Sequence, residues 1–124
     1  MRIRLEPTRA LRALCLLAFV AMAVQVLFLI EPEFAERIRD VMWDKSIHFL
    51  YFGTMAFLLW IGVKKRAPLA VWAVVALIGA VDEIHQAYVP GRTSDINDWL
   101  ADGFGAAVAL VVSTRIVSLS KDGG

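Results

Sequence analysis

Long apolar runs, separated by short charged segments, dominate the chain. Uncharged runs cover residues 13–30, 47–63 and 68–81, and a fourth apolar run ends near Arg115. A helix needs about 20 residues to cross a hydrocarbon core of about 30 Å. The pattern therefore predicts an all-α, polytopic membrane protein with four transmembrane helices. The predicted helices lie at about 10–30, 46–63, 68–87 and 97–117, in a single domain that covers residues 1–124.

Composition agrees with this membrane interpretation. Hydrophobic residues make up 59% of the chain and the mean hydropathy is +0.64, whereas soluble domains are about 45–50% apolar. The formal net charge is +1, and no basic patch with interleaved aromatic residues is present, so no nucleic-acid partner is predicted. Cys15 is the single cysteine, which excludes an internal disulfide.

Two segments near the first helix need separate interpretation. Ala21-Met22-Ala23 resembles the cleavage site of a signal peptide. However, the apolar run continues to residue 30 without a polar break, which favours an uncleaved spanning helix. The polar connection at 31–46 carries Phe34, Ile38 and Val41 or Met42 at helical spacing, and this pattern predicts a short amphipathic helix at the membrane interface.

The distribution of lysine and arginine predicts the orientation. With four spanning helices, one side of the membrane holds nine of the thirteen basic residues and the other side holds four. Cytoplasmic loops carry the excess of lysine and arginine. We therefore expect a multi-pass protein of the cell inner (cytoplasmic) membrane with both termini in the cytoplasm. The nine residues are Arg2, Arg4, Arg9, Arg12, Lys64, Lys65, Arg66, Arg115 and Lys121, and the four are Arg37, Arg39, Lys45 and Arg92.

Polar residues gather at the outer ends of the second, third and fourth helices. Ionised side chains near the bilayer centre cost at least about 2.5–3.5 kcal/mol on insertion scales, and less toward the interface. We therefore expect these side chains to face one another in a shared polar pocket that opens outward. The predicted pocket or ligand-binding residues are Asp44, Lys45, His48, Tyr51, Asp82, Glu83, Gln86, Arg92, Asp98 and Asp102.

Two further patterns concern packing and the membrane interface. Ala101, Gly105 and Ala109 form a strip of small residues that permits close approach of another helix, and Gly53 is suited to the same role. The four tryptophans lie near predicted helix ends and are interpreted as interfacial anchors. They are Trp43, Trp60, Trp72 and Trp99.

The polar motifs together resemble the VanZ-like family of small bacterial membrane proteins. The resemblance covers roughly residues 41–112 and rests on ordered motifs: Asp44-Lys45-x-x-His48-Phe49, Asp82-Glu83-x-x-Gln86, Pro90-Gly91-Arg92, and Asp98 followed by Gly103 and Gly105. It implies a four-helix membrane protein, and a link to resistance against the glycopeptide teicoplanin for the family's best-known member. Asp102 stands where such motifs often have asparagine, which changes the local charge.

Three functions remain open at this point. The preferred function is binding of an envelope lipid or lipid-linked cell-envelope precursor. The second is an enzyme on a lipid phosphate, with a carboxylate and His48 in acid–base roles, although no specific catalytic signature is present. The third is a structural or partner-binding subunit. No ligand spacing specific to one metal occurs, so neither a cofactor nor a metal site is predicted, and a magnesium or calcium ion on the carboxylates is left as an alternative.

Overall fold

The described part of the chain is helical apart from short turns and connections, and it contains no strand. The computed structural model describes residues 7–29, 44–88 and 96–122. These ranges contain α1 (Arg9–Val24) with a π-helical continuation (Gln25–Leu29), α2 (Asp44–Gly62), α3 (Pro68–Ala87) and α4 (Ile96–Asp122). The predicted all-α class is confirmed. The apolar positions on which the interfacial helix was predicted, Phe34 to Met42, lie outside the described residues.

Length and apolarity suit these helices to a membrane. Within the described ranges, three segments are long and apolar enough to cross a bilayer, namely Arg9–Phe28, Pro68–His85 and Ile96–Ser118. Ser46–Gly62 is a shorter apolar helix of about 25 Å at 1.5 Å per residue. The four-helix membrane layout predicted from the apolar runs agrees with these segments.

Local interactions explain where the helices start and stop. The hydroxyl of Thr8 accepts a hydrogen bond from the backbone N–H of Leu11 at 3.1 Å, which caps the start of α1. At the end of α2, the N–H of Lys65 donates to the carbonyl of Trp60 and the N–H of Lys64 donates to that of Ile61. With Lys64 in the left-handed region (φ 64°), this pairing is the Schellman motif that terminates helices.

The largest helix–helix interface lies between α2 and α4, whose backbones come close together. A Cβ at Gly105 would collide with the backbone of Phe49, and a Cβ at Gly53 would meet the carbonyl oxygen of Gly105 at 3.1 Å and the Cβ of Ala109 at 3.6 Å. Glycine at both positions therefore permits the crossing. The predicted close approach along this small-residue strip is confirmed.

Directions alternate along the chain. Tyr51 and Gly62 of α2 contact Met22 and Leu16 of α1, respectively, so these two helices are antiparallel. Two inter-helical hydrogen bonds from tryptophan show the same relation for α3 and α4: Trp72 Nε1 donates to Gly103 O, and Trp99 Nε1 donates to Ala76 O, both at 2.9 Å. The contacts of Phe49 with Gly105 and of Gly53 with Ala109 show that α2 and α4 are parallel, so both begin at the end of the bundle where α3 finishes.

Apolar side chains form both the core and much of the outer surface. Phe52, Met55 and Val75 are among the core residues with almost no exposure. Large apolar side chains such as Phe28 and Leu69, each 76% exposed, cover the outside of the helices. A surface of this kind is suited to lipid rather than to water. Trp60 is only 3% exposed and belongs to the core, so its prediction as an interfacial anchor is wrong.

Candidate functional site

Four carboxylates are buried inside this apolar bundle. The buried polar or charged residues of the described ranges are Asp82, Glu83, Asp98 and Asp102, with relative exposures of 5, 6, 3 and 0%. Burial of an ionised carboxylate requires partners, because isolated charges in a medium of low dielectric constant are very unfavourable. These four acids are thus enclosed by a bundle whose core and outer surface are both largely apolar.

The helix ends place these groups at a common depth. Glu83 lies four residues before the end of α3, and Asp102 six residues after the start of α4. At 1.5 Å per residue, both lie within about 10 Å of the same end of the bundle. Asp98 lies in the first turn of α4, where the partial positive charge of the helix N-terminus favours a carboxylate.

His48 of α2 is hydrogen-bonded to Asp102 of α4. Their Nδ1 and Oδ1 atoms are 2.6 Å apart, and the fully buried Asp102 carboxylate fixes the imidazole from the side of α4. The imidazole also stacks on the ring of Phe52, with ring centroids 6.2 Å apart and planes inclined by 8°. A carboxylate acceptor at Nδ1 favours the tautomer or protonation state with a hydrogen on that atom. In the neutral ring, this leaves the lone pair on Nε2.

The other imidazole nitrogen faces a second carboxylate, and a third lies nearby. His48 Nε2 and Asp98 Oδ2 are 3.9 Å apart. One ligand-type atom from each of His48, Glu83 and Asp98 lies within 4.8 Å of the other two. We call these three residues together with Asp102 the histidine–carboxylate cluster. Three different helices supply it, as expected from the sequence.

Gly79 of α3 makes room for the buried carboxylate of Asp102. A Cβ at Gly79 would lie 2.8 Å from Oδ2 and 3.3 Å from the Cβ of Asp102. Among the described residues, Oδ2 has no hydrogen-bond partner. The close packing of α3 against this side chain thus limits how far the carboxylate can turn away from His48.

Tyr51 is directed toward α1 and not toward His48. Its hydroxyl lies 2.8 Å from the carbonyl oxygen of Met22 and 3.0 Å from Oε1 of Gln25, and is placed to donate to either acceptor. Gln25 begins the π-helical turn, a feature that is frequent at functional sites. Tyr51 therefore joins α1 to α2 beside the cluster.

Of the remaining predicted site residues, Asp82 is the one whose side chain belongs to the described part of the chain. Asp82 is buried next to Glu83 on α3. The side chains of Asp44, Lys45 and Gln86 lie outside the described residues, although their backbones belong to α2 and α3, and Arg92 lies outside them completely.

Phe52 and Gly79 were missed by the sequence reasoning. Phe52 stands one helical turn after His48, and Gly79 one turn before Glu83. An i, i+4 search from His48 detects Phe52, whereas no local signal marks Gly79, because it packs against Asp102 of a different helix.

Taken together, these features define the class of protein: a small polytopic membrane protein of four apolar helices with a buried histidine–carboxylate cluster at one end. The model of the VanZ/LLP1 family matches residues 2–117. The chain belongs to that family, and the resemblance predicted from its motifs is confirmed. No curated protein sequence and no solved structure matches the chain.

Proposed function

We propose that the protein binds an envelope lipid or lipid-linked cell-envelope precursor through the histidine–carboxylate cluster. The main observation in support of this proposal is the burial of four carboxylates at one end of helices whose outer surfaces are apolar. Ionisable residues inside a membrane bundle are unfavourable unless they are paired, and they mark functional sites.

The chemistry of the cluster indicates what kind of headgroup it suits. Carboxylates are acceptors, so the cluster favours ligands that present donors, such as the hydroxyl groups of a glycerol or sugar headgroup. The side chain of His48 is 14% exposed, more than the carboxylates. A ligand headgroup therefore reaches the cluster on the side of His48. Arg92 lies in the sequence between the cluster residue of α3 and those of α4. Its planar guanidinium is suited to binding the lipid phosphate.

The proposal includes an orientation in the inner membrane. Both chain termini are assigned to the cytoplasm, with the cluster toward the outside. This orientation is supported by the sequence, because four spanning helices put nine of the thirteen basic residues on the side of the membrane opposite the cluster. The ligand is then a lipid of the outer leaflet.

Native mass spectrometry of the detergent-purified protein tests the proposal, with phosphatidylglycerol as the ligand and phosphatidylcholine as the comparison. We expect the parent to prefer phosphatidylglycerol. Arg92→Ala should weaken that binding by about 10–100-fold, because a hydrogen bond to a charged group contributes about 1.5–3 kcal/mol. Glu83→Gln should also weaken it.

Arg115→Ala is the matched control, because Arg115 lies near the other end of α4. Unchanged binding by both Arg92→Ala and Glu83→Gln would overturn the proposal. If the same substitutions lower thermal stability and leave lipid binding intact, the cluster serves only to hold helices together, as in a structural or partner-binding subunit.

One observation favours a second candidate, an enzyme acting on a lipid phosphate. The short contact between His48 and Asp102 orients the imidazole as in general acid–base catalysis. The same samples distinguish the two candidates when they are supplied with phosphatidic acid. Release of inorganic phosphate that is lost in His48→Ala supports the enzyme, whereas binding without release supports the lipid receptor.

A contribution to teicoplanin resistance fits the lipid-binding proposal. A protein that binds an envelope precursor in the outer leaflet changes how much of that precursor is accessible to a glycopeptide. The proposal therefore extends to lower teicoplanin susceptibility in cells that carry the protein.

A further inference from the structure

We infer that His48, Glu83 and Asp98 bind one divalent transition-metal ion, with Asp102 as the carboxylate that orients the histidine. This inference concerns an ion held by the protein alone and does not depend on the lipid-binding proposal.

The distances suit a metal-binding site. The Nε2 atom of His48 and Oδ2 of Asp98 are 3.9 Å apart, beyond the range of a hydrogen bond. Two ligands at about 2.0–2.2 Å from a shared zinc ion in tetrahedral geometry are about 3.3–3.5 Å apart. The Nε2 and Oδ2 atoms therefore need to move about half an ångström closer together to reach that separation. The three ligand atoms already lie within 4.8 Å of one another, and rotation of the two carboxylates brings them closer.

The contact with Asp102 is an independent argument for the metal. Metal-binding histidines almost always donate their other ring N–H to a carboxylate, a backbone carbonyl or water, which fixes the tautomer and orients the metal-binding nitrogen. Here the Nδ1 atom of His48 lies 2.6 Å from Oδ1 of the fully buried Asp102. The Nε2 atom, on the opposite edge of the ring, faces Asp98. The same carboxylate–histidine arrangement is found around zinc.

The donor set determines the class of ion. One imidazole nitrogen with two carboxylate oxygens suits zinc or manganese better than magnesium or calcium, because the latter prefer oxygen ligands alone. Three protein ligands leave at least one coordination position for water or another ligand, as in catalytic rather than structural zinc sites. This predicted ion differs from the magnesium or calcium suggested by the carboxylates alone.

Metal analysis of the full chain tests the inference. The detergent-purified protein is stripped with a chelator, dialysed against Zn²⁺, Mn²⁺ or Mg²⁺ in turn, and analysed for bound metal. We expect one Zn²⁺ or Mn²⁺ per chain and no retained Mg²⁺. Stoichiometric binding should be lost in His48→Ala and Glu83→Gln, and Asp102→Asn should weaken the affinity by about 10–100-fold.

His85→Ala provides the matched control, since His85 lies two residues from Glu83 on α3 but is exposed. It should bind metal as the parent does. A parent that retains no ion, or a His48→Ala protein that binds as tightly as the parent, overturns the inference.

A spectroscopic measurement on the parent keeps the test valid if His48→Ala does not fold. Co²⁺ loaded in place of Zn²⁺ should give the visible absorption of a site with nitrogen and oxygen ligands. Labelling the histidines with ¹⁵N should change the pulsed electron paramagnetic resonance spectrum of the bound Co²⁺, because a histidine nitrogen is a ligand. A Co²⁺ spectrum with no coupling to histidine nitrogen contradicts the site.

Discussion

The packing of Gly79 against Asp102 shows how one missing side chain helps to form the cluster. Gly79 lies in an apolar stretch of α3, and nothing in the stretch itself indicates that it faces a carboxylate. The space is nevertheless limited, since a Cβ would lie 2.8 Å from Oδ2 of Asp102. The position of this carboxylate therefore depends on residue 79 as well as on its hydrogen bond with His48.

Gly79→Ala should destabilise the protein and disturb the cluster. Inserting a methyl group into such a close contact typically costs about 1–3 kcal/mol. The loss should appear in the unfolding midpoint during an SDS titration followed by circular dichroism. A change in the imidazole ¹⁵N shifts of His48 should accompany it, because the carboxylate must move.

Gly103→Ala is the control for that change. Gly103 also lies within a helix, yet a Cβ there would meet nothing within 4 Å, so the substitution should be neutral or slightly stabilising through helix propensity. Equal stability of the two alanine variants, with unchanged histidine shifts, would contradict the role given to Gly79.

Among the helices, α1 is joined to the site by Tyr51. The hydroxyl of Tyr51 reaches Met22 and Gln25 at the start of the π-helical turn, and Gly62 receives the side chain of Leu16 farther along the same interface. The phenol thus fixes the position of α1 relative to α2 close to His48.

Tyr51→Phe should weaken the attachment of α1. Hydrogen bonds between helices of a membrane protein contribute about 0.6 kcal/mol on average and up to about 1.7 kcal/mol, and a loss within this range is expected in the same SDS titration. Tyr88→Phe is the control, because Tyr88 is 82% exposed. If both phenylalanine variants unfold together with the parent, the hydroxyl of Tyr51 does not stabilise this interface.

How much of each helix could be predicted depended on whether its signal was local. The end of α2 and the start of α3 follow from charge and from Pro68, so both were close to their observed positions. The π-helical turn at Gln25–Leu29 was not predicted, because it has no local sequence signal.

The candidate site shows a similar division. The meeting of His48, Glu83 and Asp98 followed from helix length, since each lies near the same end of its helix. The direction of Tyr51 did not follow, because a spacing of three residues from His48 permits either neighbouring helix as its partner. Trp60 was misplaced for a related reason: its position near a helix end says nothing about which face it occupies.

At the scale of the whole molecule, orientation can be measured with single cysteines. In a Cys15→Ser background, His85→Cys should react from outside intact cells with a membrane-impermeant maleimide, because His85 is exposed beside the cluster. Lys64→Cys, exposed at the opposite end, should react only after the cells are opened. The reverse labelling pattern would refute cytoplasmic termini.

The supply of Asp98 and Asp102 by α4 has a consequence for biogenesis. During synthesis, this helix leaves the ribosome after the other three, so His48 and Glu83 reach the bilayer before the carboxylates that complete their surroundings exist. A nascent chain halted before residue 96 therefore holds His48 and Glu83 without the carboxylates of α4 that lie beside them in the complete bundle. Maturation of the whole bundle is thereby tied to the arrival of one late segment.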